Sequence, residues 1–241
     1  MRRAYLAGAA YAHRKDWIEQ RLRLLAGVFA VEVGGYAVMS NHLHVVLRMC
    51  PAAAGSWSAA EVVTRWWTVY PRQRLRDGTP VAPDPAQVQA QAQDVVWVET
   101  RRRRLADLGW LMKALKEDIS RRANREDGCT GAFWEGRFTS VPLLDNAALV
   151  ACMAYVDLNP VRAKVAPTPE ASTHTGARVR IRAWRRHRAA ERLRARDPAR
   201  AARVLAQAER PSTAQHPEDG LWLAPLARCR VAEPEGTVVP E

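Results

Sequence analysis

The chain has 241 residues and a formal net charge of +12, because 37 lysines and arginines outweigh 25 aspartates and glutamates. This length suffices for one core domain with appendages, and no apolar run reaches the roughly 18 residues that argue for a membrane span. The positive charge indicates a polyanionic partner, either nucleic acid or an anionic membrane surface.

The first fifty residues predict a helix followed by a hairpin. Residues 15–27 carry apolar side chains at helical spacing. Residues 28–39 predict a strand, with a bulge or a close backbone approach at Gly34 and Gly35. After a turn at Ser40 and Asn41, residues 42–49 alternate in a second strand. One face carries Leu43, Val45, Leu47 and Met49, and the other carries His42, His44, Val46 and Arg48.

The middle of the chain has two contrasting parts. Residues 50–98 contain several prolines and a glutamine-rich run, so they predict an insertion on the core fold, anchored by Trp66, Trp67 and Tyr70. Residues 101–126 return to helical periodicity, with Asp127 and Gly128 ending the helix. The apolar stripe is Leu105, Leu108, Leu111, Met112, Leu115 and Ile119.

The last hundred residues predict a short strand, a capped helix and a basic tail. The strand covers residues 138–143. Asp145 and Asn146 can cap a helix that runs from residue 147 to about 158, where it ends because Pro160 disfavours helical geometry before it. Residues 178–203 contain eleven arginines against Glu191 and Asp197, which contributes +9 to the net charge. They predict solvated helix, whereas the last thirty residues predict mainly disorder.

The cysteines predict free thiols. No two of them form a C-x-x-C pair, which fits a reducing cytoplasm better than a disulfide framework or a zinc site. The N-terminal residues carry charges before any long apolar run and predict no signal peptide. The four cysteines are Cys50, Cys129, Cys152 and Cys229.

Four side chains carry the candidate chemistry. His42 and His44 share one strand face and can offer two imidazoles to one divalent metal ion. Tyr155 and Asn159 are four residues apart, so on a helix they lie one turn apart on one face. A tyrosine hydroxyl can attack a phosphodiester, but its usual pKa of about 10 makes it weak at neutral pH. A metal ion held by both histidines and the Asn159 oxygen would offset this weakness.

Three segments resemble motifs of single-tyrosine transposases. Residues 35–47 (GYAVMSNHLHVVL) resemble the HUH motif, which is histidine, hydrophobic, histidine. Residues 133–138 (FWEGRF) resemble the aromatic-Glu/Gln-Gly-Arg-aromatic segment, and residues 155–163 (YVDLNPVRA) resemble the tyrosine-helix signature. Their order and spacing match across residues 2–165. The branch that the chain resembles is the REP-associated tyrosine transposases, relatives of the insertion-sequence-200 type.

The resemblance implies an α+β fold with a ferredoxin-like βαββαβ core, in which helices flank an antiparallel sheet. A transposase domain would span residues 1–166, with the insertion at about 50–100, and residues 167–241 would form a basic, partly helical and partly disordered extension. The family usually has a first strand before the segment at residues 2–6. Met1 falls directly on that segment, so this strand is expected to be truncated, by a misassigned start or a shortened gene. Its loss would put activity in question more than fold.

The resemblance also implies an activity. His42, His44 and Asn159 would bind Mg²⁺ or Mn²⁺, and Tyr155 would be the nucleophile that cleaves and rejoins single-stranded hairpin DNA without ATP, through a 5′-phosphotyrosine. Such a protein would be cytoplasmic and nucleoid-associated, with DNA and no membrane as partner, and a monomer or homodimer. The candidate DNA-binding residues are Arg48, Arg137 and Arg162.

Simpler interpretations stay open beside these. The histidines could be solvent-facing, Tyr155 a half-buried helix residue, and Asn159 a helix end. Asp157 fits a surface or supporting position, Glu135 and Arg137 an ordinary ion pair, and the tryptophans at 66, 67 and 110 core anchors rather than base-stacking platforms. The arginine run could be a solvated face or track phosphates. The alternative function is a domesticated or inactive relative that binds DNA or RNA without catalysis.

Overall fold

The computed structural model describes residues 11–194, 196–209 and 222–225, which form an α+β protein with a two-stranded antiparallel sheet. None of the helices in these residues is long and apolar enough to cross a membrane. In chain order the elements are α1 His13–Val28, β1 Val31–Val38, β2 Leu43–Met49, α2 Pro51–Gly55, α3 Ala59–Val69, α4 Pro85–Ala92, α5 Val95–Leu105, α6 Leu108–Glu126, α7 Asn146–Arg162, α8 Gly176–Arg194 and α9 Pro198–Glu209.

Several predictions concern residues outside this description. The expected loss of a first strand concerns the chain before the segment at residues 2–6, and residues 1–10 lie outside the description. Most of the expected disordered tail falls in residues 210–221 and 226–241, which also lie outside it. The predicted domain boundary near residue 166 also stays a prediction. Cys229 lies outside the described residues, and the other three cysteines form no disulfide within them.

The chain divides into two compact units. The first unit contains the described residues through Glu32 together with Leu47–Arg137, and the second contains Val33–Val46 and the described residues from Phe138 onward. The predicted helix–hairpin order at the start of the chain is confirmed by α1, β1 and β2, with a bend at Ser40 and Asn41.

The first unit is helical. Ile18, Leu22 and Leu25 of α1 are buried at helical spacing, as are Leu111, Leu115 and Ile119 of α6, and the two helices pack together. Residues 51–105 form α2 to α5, in which Trp66 and Trp67 are buried. The helical stretch predicted over residues 101–126 is divided between α5 and α6. The break is at Asp107, which caps α6 by accepting a hydrogen bond from the Trp110 amide at 2.8 Å.

The second unit packs α7 against the hairpin. Ala37 and Met39 on β1 and its turn, Val46 on β2, and Met153 and Val156 on α7 form one buried apolar cluster. Val46 lies on the same strand face as His44. The helix therefore covers the face of β2 that carries the histidines.

The free edge of β1 is covered by later parts of the chain. The Val38 amide donates to the His174 carbonyl at 3.0 Å, and the Ala224 amide donates to the Val33 carbonyl at 2.9 Å. Gly176, which follows at the start of α8, lies so close that a Cβ there would be 3.1 Å from the backbone nitrogen of Tyr36. The sequence predicts a bulge or a close backbone approach at Gly34 and Gly35. In the structure, a Cβ on Gly35 would be 3.1 Å from the Met153 sulfur, so α7 approaches this glycine closely.

Two sequence predictions in this unit are wrong. Residues 138–143 are irregular rather than a strand, and Val141 is 76% exposed. A strand needs a hydrogen-bonded neighbour, and the sheet of the described residues holds β1 and β2 alone. Helix α7 also continues through Pro160 to Arg162. Proline removes one helical hydrogen bond, but Pro160 is buried, and the Ala163 amide still donates to the Asn159 carbonyl at 2.9 Å.

Two glycine substitutions test this packing. Gly176→Ala should destabilise the protein by about 1–3 kcal/mol, because its Cβ would press on backbone that cannot move aside. Gly27→Ala is the matched control, since it lies in α1 with open space around its Cβ. The control should be neutral or stabilising by up to about 1 kcal/mol. Urea unfolding measures both, and equal stabilities for the two variants would contradict the close contact at Gly176.

Candidate active site

The turn of the hairpin presents the two histidines. The Met39 amide donates to the His42 carbonyl at 2.9 Å, which closes the turn and starts β2 at the next residue. His42 is exposed, and its Nδ1 is 2.7 Å from Oδ1 of Asn41. His44 is half-buried, and its Nε2 is 3.0 Å from Nε2 of His42. The short loop thus holds two imidazoles edge to face, with a centroid separation of 4.6 Å.

Helix α7 brings two more side chains to His44. The helix starts at Asp145, whose carboxylate accepts a hydrogen bond from the Ala148 amide at 2.6 Å. Asn159 is 9% exposed, and its Nδ2 is 3.2 Å from Nε2 of His44. The Tyr155 ring meets the His44 ring edge to face at 5.5 Å, and its side chain stays 45% exposed. The structure therefore places all four predicted site residues in one cluster.

The proton positions at the two imidazoles leave a mismatch. The amide oxygen of Asn41 only accepts hydrogen bonds, so Nδ1 of His42 must donate to it, and a neutral His42 then has a lone pair on Nε2. Nδ2 of Asn159 lies 3.2 Å from Nε2 of His44 and donates to it when that ring nitrogen carries no proton. Burial and, secondly, the neighbouring His42 lower the pKa of His44 and favour its neutral form. With both Nε2 atoms unprotonated, no hydrogen bond joins them across 3.0 Å, and a cation placed between them can bind both.

A divalent metal ion fits this arrangement. Two ligands on adjacent octahedral positions, each about 2.1 Å from an ion, are about 3 Å apart, close to the separation of the two Nε2 atoms. Rotating the Asn159 amide by half a turn would exchange Nδ2 for Oδ1, which can ligate a metal. No three His, Cys, Asp or Glu side chains form a metal-binding group in the described residues. This set consists instead of two imidazoles and an amide, so it brings no negative charge of its own.

Asp157 connects α7 to the start of α8. Its carboxylate accepts a hydrogen bond from the Ala177 amide and faces Arg180, while burial raises the pKa of Asp157. Of the two predicted positions, the supporting one fits better than the surface one, because Asp157 is partly buried and its Oδ1 has no hydrogen-bond partner. An aspartate at the first turn of a helix also favours the helix dipole. No local pattern predicts this contact, since α8 starts nineteen residues later.

The three candidate DNA-binding arginines differ in their surroundings. Arg162 is exposed in the last turn of α7, with its guanidinium 5.3 Å from the Tyr155 ring centre. Arg48 belongs to the first unit, where it pairs with Glu32 at 2.6 Å. Arg137 is also in the first unit and is exposed. Arg162 is thus the one arginine of the three that the structure places beside Tyr155.

The segment around Arg137 is fixed to α6. The Trp134 indole donates to the Lys116 carbonyl at 3.0 Å, and the Lys116 ammonium donates to the Gly136 carbonyl. Glu135 and Arg137 are both exposed, and the structure shows no ion pair between these two described residues. The open alternative of an ordinary ion pair is therefore not what the segment forms.

No protein-family model matches the sequence, and no significant match was found among curated proteins or among solved structures.

The geometry predicts a weak divalent-metal site. Mn²⁺ should bind the wild-type protein more tightly than Mg²⁺ does, because imidazole suits transition-metal ions better. His44→Ala and Asn159→Ala should each weaken Mn²⁺ binding by roughly tenfold or more. His187→Ala is the control, since His187 is exposed on α8 and pairs with Glu191. Calorimetry or Mn²⁺ paramagnetic resonance measures the affinity, and equal binding by all four proteins would exclude the site.

Proposed function

We propose that the protein is a metal-dependent transposase that cleaves and rejoins single-stranded hairpin DNA through a 5′-phosphotyrosine. One observation carries the proposal. The hairpin histidines and the α7 residues Tyr155 and Asn159 meet in one unit, although His44 and Asn159 are 115 residues apart in sequence. An accessible hydroxyl beside a possible metal site is what nucleophilic cleavage of a phosphodiester needs.

Tyr155 carries the covalent step. Its hydroxyl oxygen attacks the phosphorus, the new tyrosine–phosphate bond forms, and the bond to the 3′-oxygen of the strand breaks. The phenolic proton passes to solvent, which reaches the exposed side chain, and the departing 3′-oxygen takes up a proton. A 3′-hydroxyl then attacks the phosphotyrosine and reverses the step. One phosphate ester replaces another each time, so no ATP is required.

The neighbouring residues orient this reaction. His42, His44 and Asn159 would hold Mg²⁺ or Mn²⁺, which when bound draws charge from the scissile phosphate. The His44 ring packs against Tyr155 and limits where its hydroxyl can point. Arg162 is exposed next to the same ring and can contact a phosphate there. The net charge of +12 favours association with a polyanion.

The proposal includes the finer fold and setting. The order α1, β1, β2 and α7, with an antiparallel hairpin, supports a ferredoxin-like core. A cytoplasmic, nucleoid-associated location and a monomeric or homodimeric state belong to the same proposal.

A second candidate function is DNA binding without catalysis. It is favoured by the metal ligand set, which lacks a carboxylate and so would hold a divalent ion weakly. The two candidates differ in whether a covalent adduct forms.

Replacing the nucleophile tests the proposal. With a labelled single-stranded hairpin and Mn²⁺, the wild-type protein should form a covalent adduct that survives denaturation. Tyr155→Phe should form none and should cleave roughly a thousandfold more slowly or worse. Denaturing gel electrophoresis measures both products.

The matched control is Tyr70→Phe. The Tyr70 hydroxyl is buried without a hydrogen-bond partner, so its removal should not harm the fold. This variant should keep full adduct formation. An adduct that persists in Tyr155→Phe would exclude the mechanism, and a wild-type protein that binds the hairpin without an adduct would favour the second candidate.

A further inference from the structure

Helix α8 carries an exposed row of one tryptophan and three arginines. These residues, Trp184, Arg185, Arg188 and Arg192, form what we name the Trp–Arg stripe, and all four are exposed. At 3.6 residues per turn they lie within about 100° of one another around the helix. The helix packs against α9, and Ala190, on the other side from the stripe, is buried. The stripe is therefore a solvent-facing surface of the second unit.

Trp184 stands out among the aromatic residues. The chain has nine tryptophans, all within the described residues, and Trp184 alone is exposed, at 61%. Leaving a large apolar ring in water forgoes the free energy that its burial would contribute. The Arg188 guanidinium lies 5.7 Å from the Trp184 ring centre, so a flat ring and a cation are presented together. Such a pair suits a ligand with both a flat face and a negative charge.

The charge of the stripe is poorly neutralised. Arg185 has Glu170 at 4.0 Å, where both side chains are largely exposed. Glu191, the nearest carboxylate in the helix itself, pairs with His187 at 3.3 Å. Exposed pairs of this kind contribute little stability and exchange readily for another anion. The stripe therefore offers a row of positive charge that extends about 12 Å from Trp184 to Arg192.

The base of α8 is fixed beside the candidate active site. The Asp157 carboxylate on α7 accepts from the Ala177 amide, and the Arg180 guanidinium donates to the Gly34 carbonyl on β1. Asp157 is two residues from Tyr155 along α7. The helix that carries the stripe thus starts at residues that contact α7 and β1, the two elements of the candidate site.

We propose that the Trp–Arg stripe binds single-stranded DNA, with a base stacked on Trp184 and backbone phosphates held by the three arginines. Stacking platforms beside a positive track are how proteins hold single strands without sequence preference. A membrane surface is a poorer occupant, because the stripe has a single aromatic ring and α9 covers another face of the helix. The inference rests on the proposed function, since it describes how the substrate strand is held outside the cleavage site.

Binding in the absence of chemistry tests the stripe. The full-length Tyr155→Phe protein is titrated, without divalent metal, into a labelled mixed-sequence DNA strand of about twenty nucleotides, and anisotropy gives the affinity. Adding Trp184→Ala should weaken binding roughly 5- to 150-fold, the loss expected for one stacked base. Trp184→Phe should keep most of the affinity, because a flat ring remains.

The arginines are tested through the salt dependence of binding. The triple change Arg185→Gln, Arg188→Gln and Arg192→Gln should lower the slope of log affinity against log salt by about 2, since each phosphate contact in a single strand contributes about 0.7. Arg76→Gln, an exposed arginine of the first unit, is the matched control. The salt slope of this control should fall by less than about 0.7, the contribution of one phosphate contact.

The outcomes separate this proposal from the proposed function. Three results would each overturn the proposed DNA binding by the stripe. They are an unchanged affinity in Trp184→Ala, equal losses of affinity in the Trp184→Ala and Trp184→Phe variants, and a salt slope that falls no more in the triple variant than in Arg76→Gln. Tighter binding of RNA of the same sequence, or of anionic phospholipid vesicles, would assign it to another partner and overturn it too. Trp184-dependent DNA binding supports the stripe even where the wild-type protein forms no covalent adduct.

Discussion

The packing of α7 on the histidine face of the hairpin is the contact on which the candidate site depends. Gly35 favours it, because a Cβ at this position would lie only 3.1 Å from the Met153 sulfur. Val46 and Val156 fill the same interface. One turn farther along the helix, this packing leaves Asn159 within hydrogen-bond distance of His44. Apolar burial thus sets the position of the polar cluster, whose own hydrogen bonds are too few to do so.

The polar groups of this unit fall into two sets, the imidazoles beside Tyr155 and the carboxylate of Asp157. The Nε2 atoms of His42 and His44 lie 3.0 Å apart, and no carboxylate joins them in a metal-binding group of the described residues. A metal bound there would keep most of its charge for a phosphate. Asp157, by contrast, directs its negative charge away from this cluster, toward the first turn of α8 and Arg180. The Asp157 carboxylate therefore links α7 to α8, whereas the uncharged imidazole and amide groups of His44 and Asn159 lie beside Tyr155.

The sequence predicted local features well and long-range ones poorly. The helix at the start of the chain, the hairpin turn and the Asp145 cap all follow from periodicity and capping within a few residues. The strand at residues 138–143 fails because strand formation needs a partner edge, which local sequence does not report. The early end of α7 fails because Pro160 is buried in packing that outweighs its lost hydrogen bond. The sequence did not single out Trp184 as an exposed residue, because the neighbours of a tryptophan in sequence do not determine whether it is buried.

The sequence alone determined which groups the site can contain. The spacing of His42 and His44 on a strand, and of Tyr155 and Asn159 on a helix, fixes each pair on one face through the periodicity of the backbone. The tertiary structure alone decided that the two pairs meet, since their separation of more than a hundred residues carries no local signal. It also decided that α7 covers the histidine face and that α8 leaves its Trp–Arg stripe in solvent. Both results depend on which apolar surfaces pack together, a property of the whole folded unit.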